Sequence, residues 1–204
     1  MNVVITIGRE HGSGGRHIGK IIAEKLGIEC YDTRFITEAA KRNGINEKVF
    51  QAYNERPVNS LLYSIVMAGS ALPRSAWNTT ERPLHEQVFK AQFDMINELG
   101  QNPCVIVGRC ADSVLDESIT KCRVFIRADM PDRIKRIAET YQVSEKEAEK
   151  MILQTDKDRA SYYQYHTGQR WGNSQNYDLC LNTSGMSEED AAELILAYIA
   201  KKYH

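Results

Sequence analysis

The chain alternates between short, almost wholly apolar runs and longer segments in which apolar residues return every third or fourth position. Residues 3–7 (VVITI), 28–32 (IECYD), 104–108 (CVIVG) and 122–128 (CRVFIRA) read as buried strands, and 177–183 (YDLCLNT) as a fifth. Short runs rich in Val and Ile, separated by helical stretches, predict a parallel sheet covered on both faces. Residues 15–26 place Ile18, Ile21, Ile22 and Leu26 on one helical stripe that stops at Gly27. Residues 84–99 repeat the pattern with Val88, Phe89, Phe93, Ile96 and Leu99 before Gly100. MPDRIKRIAETY predicts a helix starting near Pro131, and SEEDAAELILAYIAKKY a closing helix whose acidic first turn, Glu189 and Asp190 after Ser187, suits its N-terminus.

Two stretches break this rhythm. Between the second and third strands lie about 70 residues that read as helical throughout, an insertion long enough to be functional, often as a substrate-binding subdomain. A second, about 155–176, is rich in Tyr, Gly, Asn and Gln and reads as irregular. No internal repeat appears, so one domain over residues 1–204 with two excursions is expected.

Composition narrows the function classes. With 42% hydrophobic and 26% charged residues the chain reads as a soluble globular protein. Its net charge of −1 argues against a general nucleic-acid binder, which needs a basic excess to meet phosphates. The five cysteines, Cys30, Cys104, Cys110, Cys122 and Cys180, form no CxxC pair, and buried free thiols are the expected state. No basic segment leads into an apolar stretch at the N-terminus, and the longest apolar patch, residues 61–72 (LLYSIVMAGSAL), is too short and polar to span a bilayer. That patch reads either as packing inside the insertion or as a homodimer contact. Together these features predict a cytoplasmic protein with no membrane partner.

The chemistry starts at residues 8–19, GREHGSGGRHIG, where a strand runs through a glycine-rich bend into a helix. Unpaired N–H groups and the positive end of the helix dipole point out of such a bend, so phosphate oxygens can approach. The usual phosphate loop is GxxxxGK[ST], with the lysine on the terminal phosphates and the hydroxyl on magnesium. Counted from Gly8, the sixth and seventh positions are Ser13 and Gly14, so glycine and lysine both fail. Aligned by its tail, GSGGR stands for GxGK[ST], which makes Arg16 the best candidate for the missing cation and Lys20 a weaker one. A dinucleotide site with Asp32 on the ribose is disfavoured because His17 occupies the third glycine position of GxGxxG. His11 and His17 lack metal-ligand spacing.

Four blocks carry a resemblance: REHGSGGRHIG (9–19), CYDTRFI (30–36), VIVGRCADSVL (105–115) and DKDRASYYQYHTGQRWGNSQNYDLCLNTS (156–184). In this order, and over nearly the whole chain, they resemble the cytidylate kinase-like P-loop proteins related to nucleoside monophosphate kinases. The resemblance implies an α/β fold, a three-layer P-loop NTPase-type parallel sheet with a helical acceptor-binding insertion at about 33–100 and a lid at about 137–176. It implies ATP and Mg2+, with Gly12, Ser13, Gly14, Gly15, Arg16 and His17 around the ATP phosphates and magnesium held by the phosphates and Ser13. It places Asp32, Arg34 and Arg109 on the acceptor, and Arg133, Arg136, Asp156 and Arg159 in the lid. The implied catalytic groups are Arg16, Arg109 and Arg159.

In the family's lid motif an arginine precedes the DxxR pair, and Ile152 stands in its place. Asp112 reads as an acceptor-block acid or a helix cap. Tyr162, Tyr163, Tyr165, His166 and Trp171 read as packing between lid and core in preference to base stacking. The expected function is transfer of the ATP terminal phosphate to a nucleoside monophosphate, CMP first, or to a similar small acceptor. The rival is a nucleotide sensor or partner-binding protein that kept the fold and lost the chemistry, which the absent lysine and hydroxyl favour.

Overall fold

Each of the five apolar runs forms a strand in a computed structural model of the protein, which describes residues 3–33, 35 and 81–203. The elements in chain order are β1 (Val4–Arg9), α1 (Gly15–Leu26), β2 (Glu29–Tyr31), α2 (Glu81–Leu99), β3 (Cys104–Val107), α3 (Ala111–Val114), β4 (Lys121–Arg127), α4 (Met130–Tyr141), α5 (Glu145–Thr167), a 3-10 turn (Ser174–Asn176), β5 (Leu179–Asn182) and α6 (Glu188–Lys202). Most of the expected insertion, including Arg34 and the apolar patch at 61–72, lies outside the described residues.

The strands are parallel throughout, in the order β2-β3-β1-β4-β5. Parallel neighbours need crossovers, and the helices supply them on both faces, giving the expected three layers. Strand alternation divides the core. Ile5 and Ile7 face Ile18 and Ile22 of α1 and Ala191, Ala192, Ile195 and Ile199 of α6. Val4 and Ile106 face Ile96 of α2, Val114 and Leu115, and Tyr163 of α5. A third cluster, Ile137, Ala148 and Ile152, seals α4 to α5. Each large aliphatic side chain buried this way stabilises the fold by about 1.5–3 kcal/mol, enough to hold the central strand fixed beneath the loop that follows it.

β1 runs two residues past the apolar run that announces it, because Gly8 and Arg9 stay in register with Phe125 and Ile126 of β4. The strand therefore delivers Arg9 at its carboxyl end, where α/β sheets open their ligand crevice. α1 begins and ends as its periodicity predicts, closing on Gly27 with φ 64. Ser187 caps α6 by accepting from the Asp190 N–H at 3.0 Å.

The stretch expected to be irregular is helical as far as Thr167. α5 runs 23 residues and starts with a capping box in which Ser144 and Glu147 satisfy each other's backbone N–H groups. Only Ala148, Ile152 and Tyr163 of it are buried, so its apolar stripe is too thin to register as helical periodicity. All five cysteines are free; Cys104, Cys110 and Cys122 are buried as expected, but Cys30 is only partly buried and Cys180 is exposed on β5. Among the described residues no helix is long and apolar enough to cross a membrane.

Candidate functional site

The bend after β1 turns through Gly12 (φ 81) and Gly14 (φ 82), left-handed values that disfavour a side chain. The Gly14 carbonyl accepts from the N–H groups of His17 (2.9 Å) and Ile18 (3.1 Å). The Gly15 and Arg16 N–H groups are thus left at the open, positive end of α1. Ser13 is 1% exposed and its hydroxyl donates inward to the Glu10 carbonyl at 2.9 Å. Thr183 donates to the Ser13 carbonyl at 2.9 Å and pins the bend from below. Arg16 reaches the end of β2, with Nη2 2.6 Å from Asp32 Oδ2, and His17 Nδ1 lies 3.3 Å from Glu188 Oε2.

All four expected lid residues converge on the backbone of this bend. Arg133, 4% exposed, donates Nε to the His11 carbonyl at 2.7 Å and pairs with Glu10 at 3.1 Å and with Asp156. Arg136 donates to the Gly12 carbonyl. Asp156 accepts from the His11 N–H at 2.8 Å, and Arg159 donates Nη1 to the Arg9 carbonyl at 2.9 Å. Glu10 in turn accepts from the Ala128 N–H at 3.1 Å, so the bend is fastened to the end of β4 as well as to α4 and α5. Ile152, where the family's lid motif has an arginine, is fully buried in the seam between α4 and α5.

Arg109 follows β3 in a left-handed conformation (φ 55), its guanidinium 5.3 Å from the centre of the Tyr162 ring. Beside it Arg9 donates Nη2 to Thr33 Oγ1 at 3.3 Å. Burial, reinforced by Arg159 and Arg109, pulls the Arg9 pKa well below its ordinary value, and Arg159 is lowered chiefly by burial. Burial and then the Arg159 charge push His11 down to about 4. Several guanidinium groups thus gather at the mouth of the bend, with Asp32 and Asp156 acting against them. Arg9, Glu10 and Thr183 escape motif reading; the signal for Arg9 was its place at the end of the strand feeding the glycines.

The aromatic run packs. Tyr163 is 3% exposed and donates to Asp112 at 2.6 Å. Burial of that carboxyl raises its pKa although Tyr163 opposes the shift, so Asp112 anchors α5 rather than capping a helix. Trp171 meets Phe125 edge-on at 5.4 Å, and His166 stacks on Phe89 at 3.7 Å. Tyr165 remains 38% exposed. Among the described residues no group of three or more His, Cys, Asp or Glu side chains is placed to hold a metal ion.

Residues 4–185 match the profile of the cytidylate kinase-like family. A cytidylate kinase of Methanopyrus kandleri is 23% identical over 200 residues, covering 98% of this chain and 94% of that protein. One from Sulfolobus acidocaldarius is 26% identical over 113 residues, 55% of this chain, and the match spans 62% of that relative, less than two thirds of its length. Among solved structures, an uncharacterised protein from Eubacterium ventriosum superposes with a TM-score of 0.74 at 26% identity, covering 98% of this chain and 99% of that one. Shikimate kinase from Acinetobacter baumannii in complex with shikimate gives 0.52 at 15% identity, covering 100% and 96%, a likeness of fold alone.

Proposed function

The chain belongs to the cytidylate kinase-like family, and from that premise we propose that it is a phosphotransferase that moves the terminal phosphate of ATP to a nucleoside monophosphate, CMP first. One observation carries this reading: the open N-terminus of α1 and the guanidinium groups of Arg9, Arg109 and Arg159 gather where β1 and β3 end. Phosphoryl transfer asks for alignment and cancellation of charge, with no nucleophilic side chain. An acceptor phosphate oxygen attacks the γ-phosphorus, the bond to the bridging oxygen breaks, and ADP leaves.

In this reading residues 12–17 cradle the ATP phosphates, Arg109 orients the acceptor phosphate, and Arg159 meets the charge that develops on the transferring group. Asp32 is assigned to the acceptor, as is Arg34, which lies outside the described residues. Arg16, held on Asp32, ties the cradle to the acceptor side. A magnesium ion would sit on phosphate oxygens and water, since the Ser13 hydroxyl is turned into the protein and an arginine stands at the hydroxyl position of GxxxxGK[ST]. Five free thiols fit a reducing cytoplasm.

A coupled ATP-consumption assay across nucleoside monophosphates with magnesium tests the reading, with the fastest turnover expected for CMP. Turnover with no nucleotide acceptor, together with calorimetric binding of ATP, would replace it by the sensor reading that the absent lysine favours. Loss of both would remove the nucleotide altogether.

A further inference from the structure

Counted from Arg9, the loop reads Arg9, four residues, Gly14, Gly15, Arg16. Against GxxxxGK[ST], the first glycine and the lysine have changed places: a cationic side chain stands at position one and a glycine at position seven. The geometry explains why the two changes go together. A Cβ on Gly15 would lie 2.7 Å from Arg9 Cβ and 3.1 Å from Arg9 Cγ, inside any contact that real side chains make. The space in which a lysine at 15 would begin is filled by the stem of Arg9.

From there the Arg9 side chain passes Gly108, where a Cβ would stand 2.9 Å from Cζ and 3.2 Å from Nη2. Among the described residues the Arg9 guanidinium makes one hydrogen bond, the long one to Thr33 Oγ1, and no ion pair. Arg159, which grips the Arg9 carbonyl, likewise pairs with no carboxylate among them. Arg16 differs: its guanidinium already meets Asp32 at 2.6 Å, and its side chain is 47% exposed. Two half-buried cations that touch no carboxylate, with Asp32 acting on Arg9 and Asp156 on Arg159 only at longer range, stand beside the open end of a helix and leave room for an anion.

We propose that Arg9 is the phosphate-binding cation of this loop, doing from the first position what the lysine of GxxxxGK[ST] does from the seventh, with the terminal phosphates of a nucleoside triphosphate as its ligand. The proposal rests on the nucleotide reading above and assigns within it the group that reading lacked. A guanidinium offers a planar fork to two phosphate oxygens where an ammonium offers a point charge.

The test is calorimetric titration with magnesium and the β,γ-imido analogue of ATP. Arg9→Gln is expected to weaken binding by about tenfold or more, as loss of a charge-assisted pair does, and Arg16→Gln by less. Arg9→Gly should bind as weakly as Arg9→Gln, and Arg9→Gly combined with Gly15→Lys should regain most of the affinity, because the lysine then has both the space and the task. Thermal unfolding confirms that each variant is folded. Parental affinity in Arg9→Gln, or a larger loss in Arg16→Gln, overturns the proposal. Should Arg9→Gln not fold, the paired variant decides, and binding no better than Arg9→Gly overturns it. If the unaltered protein fails to bind the analogue, the nucleotide reading itself falls; if it binds and only the Arg9 variants are unaffected, this assignment alone falls.

Discussion

Of the three arginines that reach the backbone of the glycine bend from neighbouring helices, Arg133 and Arg159 meet the most different surroundings. Arg133, on α4, is buried among Glu10, Asp156 and the His11 carbonyl, with its donors spent on fixed acceptors. Arg159, on α5, takes one carbonyl and no carboxylate among the described residues. The DxxR motif divides in the same way, since Asp156 directly contacts Arg133 and the bend and acts on Arg159 only at longer range. A cation in contact with two carboxylates holds structure; one that touches none, half-buried beside others of its kind, suits the ligand-meeting role proposed for Arg159.

The sharpest way to break this contrast is to remove each arginine in turn. Arg133→Ala takes from Glu10 and Asp156 the cation that both contact and should destabilise the fold by about 3 kcal/mol, the cost of breaking a buried pair, read by urea unfolding. Arg159→Gln should change stability by about 1 kcal/mol or less while lowering turnover about a hundredfold or more. A protein that unfolds on loss of Arg159 and works without Arg133 would invert the comparison.

Acid sharpens it further. Burial first, then the charges of Arg159, Arg133 and Arg9 against that of Asp156, lower the His11 pKa from 6.5 to about 4. The unfolded chain therefore binds the extra proton first, so stability falls as pH drops through 6.5 and the loss is complete below 4. Between pH 6.5 and about pH 5 the loss should be about 1 kcal/mol, the linkage halved because the ring is part-exposed. His11→Gln should flatten the slope of Tm against pH, and an unchanged slope would place the titration elsewhere.

The smallest effect belongs far from the bend, where Asp178 receives Arg123 at 3.2 Å and Lys202 at 2.7 Å. Desolvation opposes ionisation there, but the two cations outweigh it and hold the carboxyl down at about 2. Lys202 is largely exposed, so Lys202→Ala should cost under about 1 kcal/mol and leave turnover untouched, measured by thermal unfolding and the coupled assay.

Much of the sheet was legible in the sequence because strands covered on both faces need unbroken apolar runs, and those runs survive any tertiary detail. α1 was legible to the residue because its stripe is wide and Gly27 ends it. α5 was not read from the sequence, neither over 145–154, where no element was predicted, nor beyond 155, because a helix anchored by Ala148, Ile152 and Tyr163 shows little periodicity; the S-x-x-E spacing of Ser144 and Glu147 is the signal that could have found its start. At the site, the bend and the DxxR pair stood out as motifs. The Arg16–Asp32 pair did not, since it joins residues on separate elements and depends on β2 lying close to α1. Arg9 was hidden because the tail alignment was followed only forward to Arg16 and not back to position one, where the cation stands.

That exchange constrains how such a loop can be inherited. With arginine at 9 and lysine at 15, two stems compete for the volume of one; with glycine at both, the space is empty and so is the charge. A lineage changing one position at a time between the lysine form and this one must pass through the crowded state or the uncharged one. The two forms are therefore separated by a mutational valley, and their residues at 9 and 15 should be found to travel as a pair.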